Sequence, residues 1–271
     1  MRVQMWCDME GVAGITKWDQ VSSGSSQYEE GRLLYTQEIN AAVRGAKRAG
    51  AKEIIVVDGH GAGGNYTFNS WRKDLLEPGA EYVTGYRWGC YVEALREGCD
   101  AMLLPGAHAM AGTPDGVLSH TMSSEAWLSA KMGGVLVGES GIIAAIAGTF
   151  GVPVVFVSGD TQTCREVAEL VGGGVAQAAV KHGLGRFAAR NMAPQDACKL
   201  IEDRVHEALT NRERWPAPWK LQGPVEFRVE MNSPEQSVPF LGHEGVTVES
   251  PRVVSSRGNT AWEAWDLFWR K

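Results

Sequence analysis

The fold is organised around one stretch near the start of the chain, Arg2-Val3-Gln4-Met5-Trp6-Cys7-Asp8-Met9-Glu10-Gly11. Residues 2–7 contain no Gly or Pro and are typical of a β-strand. Asp8 and Glu10 follow directly, and carboxylates two positions apart on an extended chain point to the same side. Two close carboxylates resist ionisation unless a cation lies between them. The stretch predicts a cation site at a strand end; the alternative is a solvated strand end with ordinary loop acids.

The composition is that of an ordinary globular protein. Its 271 residues suffice for one large core or two modest domains, with 44% hydrophobic and 21% charged residues. The net charge of −6 and the lack of a long Lys/Arg run argue against nucleic acid as a partner. No apolar run reaches the roughly 20 residues of a membrane span, and no secretion signal is visible. We therefore expect neither a nucleic-acid partner nor a membrane partner.

The cysteines predict a reducing environment. They are scattered, their number is odd, and no C-x-x-C motif occurs. A disulfide framework or a cysteine-rich zinc site is not expected, and the predicted location is cytoplasmic. The five are Cys7, Cys90, Cys99, Cys164 and Cys198.

Strand-like and helix-like segments alternate up to about residue 170. This alternation predicts an α/β fold with a mostly parallel sheet and helices on both faces, plus a smaller C-terminal α+β region. We expect residues 1–190 to form the metal-binding catalytic domain, and residues 191–271 to serve assembly and the substrate pocket. The predicted strands are 2–7, 53–58, 80–86, 101–105, 152–158 and 225–231, and the predicted helices are 27–49, 91–97, 142–150, 161–170, 194–211 and 259–270.

The last predicted helix carries a tryptophan stripe. Trp262, Trp265 and Trp269 fall on one helical face. Such a face predicts docking against the core or against a partner subunit.

Histidines join the carboxylates at the same predicted sheet edge. His60 and His108 each follow a predicted strand, and Glu139 begins an apolar helix near that edge. Carboxylates with imidazoles are the ligand set of zinc and similar ions. With Asp8 and Glu10 they make five candidate ligands, which exceed one open tetrahedral site and suit two metals about 3.5–4 Å apart.

Each of these residues also has an ordinary structural interpretation. His60 and His108 lie in turns where a histidine is often a simple loop residue. Glu139 at a helix start favours the helix dipole. His120, in Ser119-His120-Thr121, is compatible with a hydrogen-bonded sheet histidine. The remaining histidines, at positions 182, 206 and 243, have no such placement.

The glycine-rich turn after the second predicted strand also allows a nucleotide-binding interpretation. Gly59-His60-Gly61-Ala62-Gly63-Gly64 matches G-x-G-x-x-G after a strand. The fingerprint should run directly into a helix, but residues 65–69 do not continue as one. Asp58 before the turn would also repel a pyrophosphate, so the metal site is favoured.

An ordered set of short motifs resembles the zinc-dependent D-aminopeptidase family. The match is strong over about the first 160 residues and weaker afterwards. Its motifs are Asp8-Met9-Glu10-Gly11, Tyr28-Glu29-Glu30-Gly31-Arg32-Leu33, Asp58-Gly59-His60, Gly106-Ala107-His108, Thr113-Pro114, Ser119-His120-Thr121-Met122 and Val137-Gly138-Glu139.

This resemblance implies a binuclear zinc aminopeptidase that releases D-amino acids from the N-terminus of short peptides. It implies two zinc ions per chain, with Asp8 as the bridging ligand and His120 as the catalytic residue. A metal-activated hydroxide would attack the peptide carbonyl with assistance from His120. The resemblance further implies a homo-oligomeric ring, for example a decamer, whose active sites face an inner chamber. The implied metal ligands are Asp8, Glu10, His60, His108 and Glu139.

Other functions remain open at this point. The same ligands suit a metal-dependent amidohydrolase or an L-peptide aminopeptidase on the same scaffold. A non-catalytic, ring-forming binding protein would share the fold and the tryptophan stripe. Trp6-Cys7 also departs from the small and aliphatic pair usual at this strand in the family, so the packing behind Asp8 is expected to differ.

Overall fold

The structure is a computed structural model that describes residues 1–85 and 91–269. Cys90, Tyr86 at the end of the third predicted strand and Arg270 at the end of the last predicted helix lie outside the described residues. The strands are β1 Arg2–Cys7, β2 Glu53–Asp58, β3 Glu81–Val83, β4 Ala101–Leu104, β5 Trp127–Met132, β6 Val135–Val137, β7 Val154–Asp160, β8 Ala176–Gly185, β9 Ala188–Asn191, β10 Val225–Met231, β11 Val246–Ser250 and β12 Val253–Gly258. The helices are α1 Tyr28–Arg48, α2 Glu93–Gly98, α3 Glu139–Thr149, α4 Thr161–Val171, α5 Pro194–Thr210 and α6 Ala261–Trp269.

A seven-stranded sheet carries the site. Its strand order is β3-β2-β1-β4-β7-β8-β9, and all neighbours pair in parallel except β8 and β9. β1 lies inside the sheet, with Val3 opposite Ile54 on one side and Ala101 on the other. The predicted mostly parallel α/β sheet is confirmed, and the carboxyl ends of β1, β2 and β4 lie side by side.

Helices cover both faces of this sheet, as predicted. Alternate residues of β1 point into the two layers. Met5 belongs to the apolar cluster that includes α1 and α5, and Trp6 belongs to the cluster that includes α3 and α4. The helices α1 and α5 approach closely where Gly45 lacks a side chain, since a Cβ there would lie 2.5 Å from the carbonyl oxygen of Glu202.

A second, antiparallel sheet lies on the α3 side. Its strand order is β11-β12-β10-β5-β6, so it joins C-terminal strands to a hairpin from the middle of the chain. Helix α6 packs on it, with Trp265 and Phe268 fully buried against Phe227. The tryptophan stripe therefore docks on the core. The division of the chain at residue 190 stays a prediction.

Two observations concern the helices and the cysteines of the described residues. None of their helices is both long and apolar enough to cross a membrane. Of the five cysteines, the four within these residues are free thiols: Cys7, Cys99, Cys164 and Cys198. The cytoplasmic location stays a prediction.

Candidate metal centre

A glycine-containing turn after β1 carries the first two carboxylates of the site. After β1 the chain turns, and the N–H groups of Asp8 and Gly11 donate to the carbonyl oxygens of Pro105 and Gly106 at 3.0 and 2.8 Å. Side chains would not fit here, because a Cβ on Gly11 would lie 1.9 Å from the Ala107 carbonyl oxygen. Asp8 and Glu10 converge through this turn and not along an extended chain, which corrects the geometric basis of the prediction.

One imidazole faces the carboxylates of Asp8 and Glu10. His60 follows β2, and its Nδ1 lies 3.0 Å from Asp8 Oδ1 and 3.1 Å from Glu10 Oε2. All three side chains are buried. They form a compact group of two oxygens around one nitrogen.

A second imidazole faces the other oxygen of Asp8. His108 Nε2 lies 3.2 Å from Asp8 Oδ2 and 3.6 Å from Glu139 Oε2. Glu139 is the first residue of α3 and is also buried. The Trp6 indole N–H donates to its other oxygen, Oε1, at 3.3 Å. The two groups share Asp8.

Backbone carbonyls decide which nitrogen of each ring is available. A carbonyl oxygen only accepts hydrogen bonds, so the ring nitrogen beside it carries the proton. His60 Nε2 lies 2.7 Å from the Val21 carbonyl oxygen, and His108 Nδ1 lies 3.0 Å from that of Ala109. In the neutral rings, Nδ1 of His60 and Nε2 of His108 therefore present lone pairs to carboxylates. Such carbonyl partners orient metal-binding histidines in proteins.

The electrostatics of the site demand positive charge between these groups. Burial lowers the pKa of His60, but Glu10 and Asp8 outweigh it and raise that pKa well above its ordinary value. Burial likewise lowers the pKa of His108, and Asp8 and Glu139 raise it well above the ordinary value. Burial followed by the charge of Asp8 raises the pKa of Glu139. Burial raises the pKa of Asp8, but the two histidines outweigh it and lower that pKa well below its ordinary value.

The residues present fit a divalent metal. Glu10 Oε2 and His108 Nε2 are buried without a hydrogen bond of acceptable geometry. Ligand atoms of Asp8, Glu10 and His108 lie within 4.8 Å of one another. Buried polar atoms are otherwise almost always paired. A cation bound by carboxylate and imidazole would satisfy these atoms, and the donor set is that of zinc.

His120 lies beside this cluster without facing its carboxylates. Its ring stacks on that of His108 with centroids 3.9 Å apart, and the Trp18 ring meets its edge at 5.5 Å. The segment around it is not a strand, so the sheet-histidine interpretation is wrong. Leu118 and Met122, on either side, have φ angles of 50° and 47°, which are uncommon for residues other than glycine and concentrate at functional sites.

The imidazole of His120 has one nitrogen available. Nδ1 lies 2.8 Å from the Leu118 carbonyl oxygen and carries the proton, which leaves Nε2 as an acceptor. Burial and the neighbouring His108 lower the pKa of His120 to about 3. The ring is therefore neutral at neutral pH.

A cavity of about 460 Å³ opens onto these side chains. Asp8, Glu10, His60, His120 and Glu139 all reach it. Its other walls come from four separate regions of the chain, including the C-terminal helix: Trp18, Val21, Ser22, Gly59, Gly61, Ala62, Gly63, Thr67, Phe68, Met122, Ser123, Ser124, Glu125 and Trp269.

The structure thus brings together all six residues singled out in the sequence. Sequence reasoning missed three others. Trp6 contacts Glu139, Trp18 contacts His120, and Lys181 donates to the backbone of Glu10. Only the unusual Trp6 carried a signal, as a departure from the family pattern behind Asp8.

Fold and site together define the class of the protein, which is a metal-dependent hydrolase. Buried carboxylates and imidazoles at the carboxyl edge of a parallel sheet bind metals, and a neutral imidazole beside them can move a proton.

Comparison with known proteins then gives the family. The family model described as D-aminopeptidase matches residues 1–270. A D-aminopeptidase of Bacillus subtilis (strain 168) is 34% identical over 218 residues, which are 79% of this chain and 76% of the relative. A solved structure, described as the Zn-dependent D-aminopeptidase DppA from Bacillus subtilis, a self-compartmentalizing protease, superposes with a TM-score of 0.90 at 29% identity. That superposition covers 99% of this chain and 95% of the other.

The chain belongs to the D-aminopeptidase family and is a metallopeptidase. The resemblance found in the sequence is confirmed.

Proposed function

We propose that this chain is a binuclear zinc aminopeptidase that releases D-amino acids from the N-terminus of short peptides. One observation carries the proposal: the two oxygens of Asp8 face two different imidazoles, at 3.0 and 3.2 Å. A carboxylate with one oxygen towards each of two donor groups is suited to join two metal ions. The zinc dependence of the Bacillus subtilis structure supports zinc as the metal.

The ligands divide around Asp8. Glu10 and His60 would complete one zinc site, and His108 and Glu139 the other, because His60 lies 3.1 Å from Glu10 and His108 lies 3.6 Å from Glu139. When bound, zinc lowers the pKa of a water molecule to about 7 and polarises a carbonyl group. Trp6 holds Glu139 by one oxygen and leaves the other for the metal.

His120 would transfer the proton during hydrolysis. Its Nε2 is an acceptor because Leu118 fixes the proton on Nδ1, so in the neutral ring it takes up a proton and does not donate one to an oxyanion. The stacked ring of His108 and the edge of Trp18 fix its orientation. After accepting the proton, His120 would deliver it to the amine that leaves.

The cavity supports a short peptide as the substrate. Its volume of about 460 Å³ is in the range of small-ligand sites, roughly 300–1,000 Å³. Glu125 and the buried carboxylates offer anionic partners for a free α-ammonium group. Trp18, Met122 and Trp269 line the cavity and would select the stereochemistry through their shape.

A homo-oligomeric ring is part of the proposal. The Bacillus subtilis structure is that of a self-compartmentalizing protease. The exposed large apolar side chains of this chain include small groups on three separate loops or hairpins, which would be available for subunit contacts. They are Leu128, Val135 and Leu136, then Leu184 and Phe187, then Val238 and Leu241. A decamer would be one such ring.

Hydrolysis of a matched peptide set tests the proposed activity. The zinc-loaded protein is given D-Ala-D-Ala, L-Ala-L-Ala and N-acetylated D-Ala-D-Ala, before and after chelation. We expect cleavage of the free D-dipeptide alone, lost on chelation and restored by zinc. Cleavage of the L-dipeptide alone would contradict the stereochemical assignment. Cleavage of the acetylated peptide would indicate a different amidohydrolase, and no cleavage of any would favour a binding protein.

A further inference from the structure

A buried lysine holds the turn that carries Glu10. Lys181 lies in β8, is 2% exposed, and donates from Nζ to three backbone carbonyl oxygens. The distances are 2.6 Å to Glu10, 2.8 Å to Val12 and 2.6 Å to Ile15. An ammonium group has three N–H donors, so all of them serve this one turn.

The turn has no strand ladder to satisfy its backbone groups. Buried carbonyls without a donor are costly, and one ammonium group here replaces three separate partners. The N–H groups of the same turn also donate to groups outside it. These bonds are Gly11 to Gly106, Ala13 to Glu38 and Gly14 to Asn191.

The same β8–β9 hairpin holds the segment of His120. The Leu118 N–H donates to the Arg186 carbonyl oxygen at 2.8 Å, and the Leu118 carbonyl in turn fixes the His120 ring. Gly183 lies directly against this segment, because a Cβ there would be 1.7 Å from the Asp115 carbonyl oxygen. The hairpin contacts both halves of the site without reaching the cavity itself.

We propose that Lys181 is a positioning residue of the metal centre. By fixing the backbone of Glu10, it sets the direction in which the Glu10 carboxylate meets His60 and the shared Asp8. A neutral side chain of similar length would take this donor from all three buried carbonyl oxygens, and among the described residues only that of Val12 would keep another, the Ile15 N–H at 3.2 Å. The turn would then lose its defined shape. This inference rests on the proposed zinc site.

The test compares Lys181→Met with a core variant remote from the site. Val205→Ala in α5 removes fully buried apolar volume. Both variants are expected to lower the melting temperature of the metal-free protein. Zinc dissociation constants are measured by competition with a chromophoric chelator. We expect Lys181→Met to weaken zinc binding about tenfold to hundredfold, the range for groups that orient metal ligands. Val205→Ala should stay within about twofold of the wild type.

The outcomes separate this inference from the proposed function. Wild-type protein without zinc would overturn both. Tight zinc in the wild type with equal affinity in Lys181→Met would overturn the positioning role alone. Equal weakening in Val205→Ala would show that Lys181 acts only through general stability, and would also overturn it.

A second variant serves if Lys181→Met does not fold. Asn191→Ala removes the exposed amide oxygen that accepts the Gly14 N–H at 3.0 Å, so folding should survive. We expect zinc affinity to fall by about twofold to tenfold, below the range for a direct orienting group. Unchanged affinity would overturn the claim that β9 and β8 hold this turn for the metal.

Discussion

Different kinds of side chain are buried at the carboxyl edge of the parallel sheet and in the antiparallel sheet. At the edge, buried carboxylates and imidazoles face one another, and Glu10 Oε2 and His108 Nε2 lack hydrogen bonds. In the antiparallel sheet the buried centre is aromatic, with Trp127, Phe227 and Phe268 in contact, and the ion pairs lie at the surface. The first region has the electrostatics of a binding site, and the second has those of a stable core.

The difference shows where function and stability reside in this chain. Like charges buried together destabilise a fold unless a cation joins them. Aromatic rings removed from water stabilise it without needing a ligand. Substitutions in the first region should therefore change metal binding and turnover, and substitutions in the second should change stability.

The largest effect is expected from Asp8→Ala. Removing the shared carboxylate takes a ligand from both proposed zinc sites, so zinc content and hydrolysis should fall to background together. The measurement is elemental zinc per folded chain together with peptide hydrolysis. Glu249→Ala, which removes a surface ion pair with Arg228 and a hydrogen bond with Ser255, is the control and should keep both properties. A fully loaded, active Asp8→Ala protein would remove Asp8 from the site.

His120→Ala should separate metal binding from catalysis. His120 does not face the carboxylates, so the variant should keep its zinc while kcat falls by about 10²–10⁴, the range for general acid–base groups. The readouts are steady-state kinetics and zinc content. His182→Ala, at an exposed histidine, should match the wild type. Normal turnover without the His120 imidazole would exclude it from the mechanism.

Phe227→Ala tests the other region. Phe227 is fully buried among Trp127, Trp265 and Phe268, and such truncations cost about 3–5 kcal/mol of unfolding free energy. Chemical denaturation measures the loss. Zinc per folded chain should stay that of the wild type. If folded Phe227→Ala lost its zinc, the two regions would not be independent.

The smallest effect concerns pH. Burial raises the pKa of Glu38 from 4.5 to about 7, against the opposing effects of the Ala13 N–H and of Lys181. Between these values the folded state holds a proton that the unfolded state has released, so this group's contribution to stability falls as pH rises from about 4.5 to 7. Glu38→Gln cannot ionise and should gain roughly 1–3 kcal/mol relative to wild type between pH 5 and pH 8.

Urea denaturation of the metal-free proteins at both pH values checks this. Glu30→Gln, at an exposed position of the same helix, is the matched control and should follow the wild type. Equal pH dependence in Glu38→Gln and wild type would contradict the assignment.

The parallel sheet was predictable because its strands are local patterns. The runs that form β1 and β2 are mostly apolar, and an acid follows the first and ends the second. Their ends alone indicated where Asp8 and His60 would meet. By contrast, β8 contains Ala, Gly, Lys and His, which are poor strand signals, and its strand character comes from its pairing with β7 and β9. The hairpin that holds Lys181 was therefore missed.

Contacts between distant parts of the chain explain the remaining omissions. Trp6 reaches Glu139 across 133 positions, and Lys181 reaches Glu10 across 171. The antiparallel sheet likewise pairs β5 with β10, which lies almost 100 residues later. No local pattern specifies such pairings, and the resemblance to the family supplied only the residues of its motifs.

Zinc stoichiometry tests the central claim, that Asp8 joins two metal ions. The metal-free wild-type protein is titrated with zinc against a competing chelator, and bound zinc is counted per chain. We predict two tightly bound ions per chain, with hydrolysis of D-Ala-D-Ala appearing as they bind. A single ion per chain with full activity, or activity that survives complete zinc removal, would contradict it.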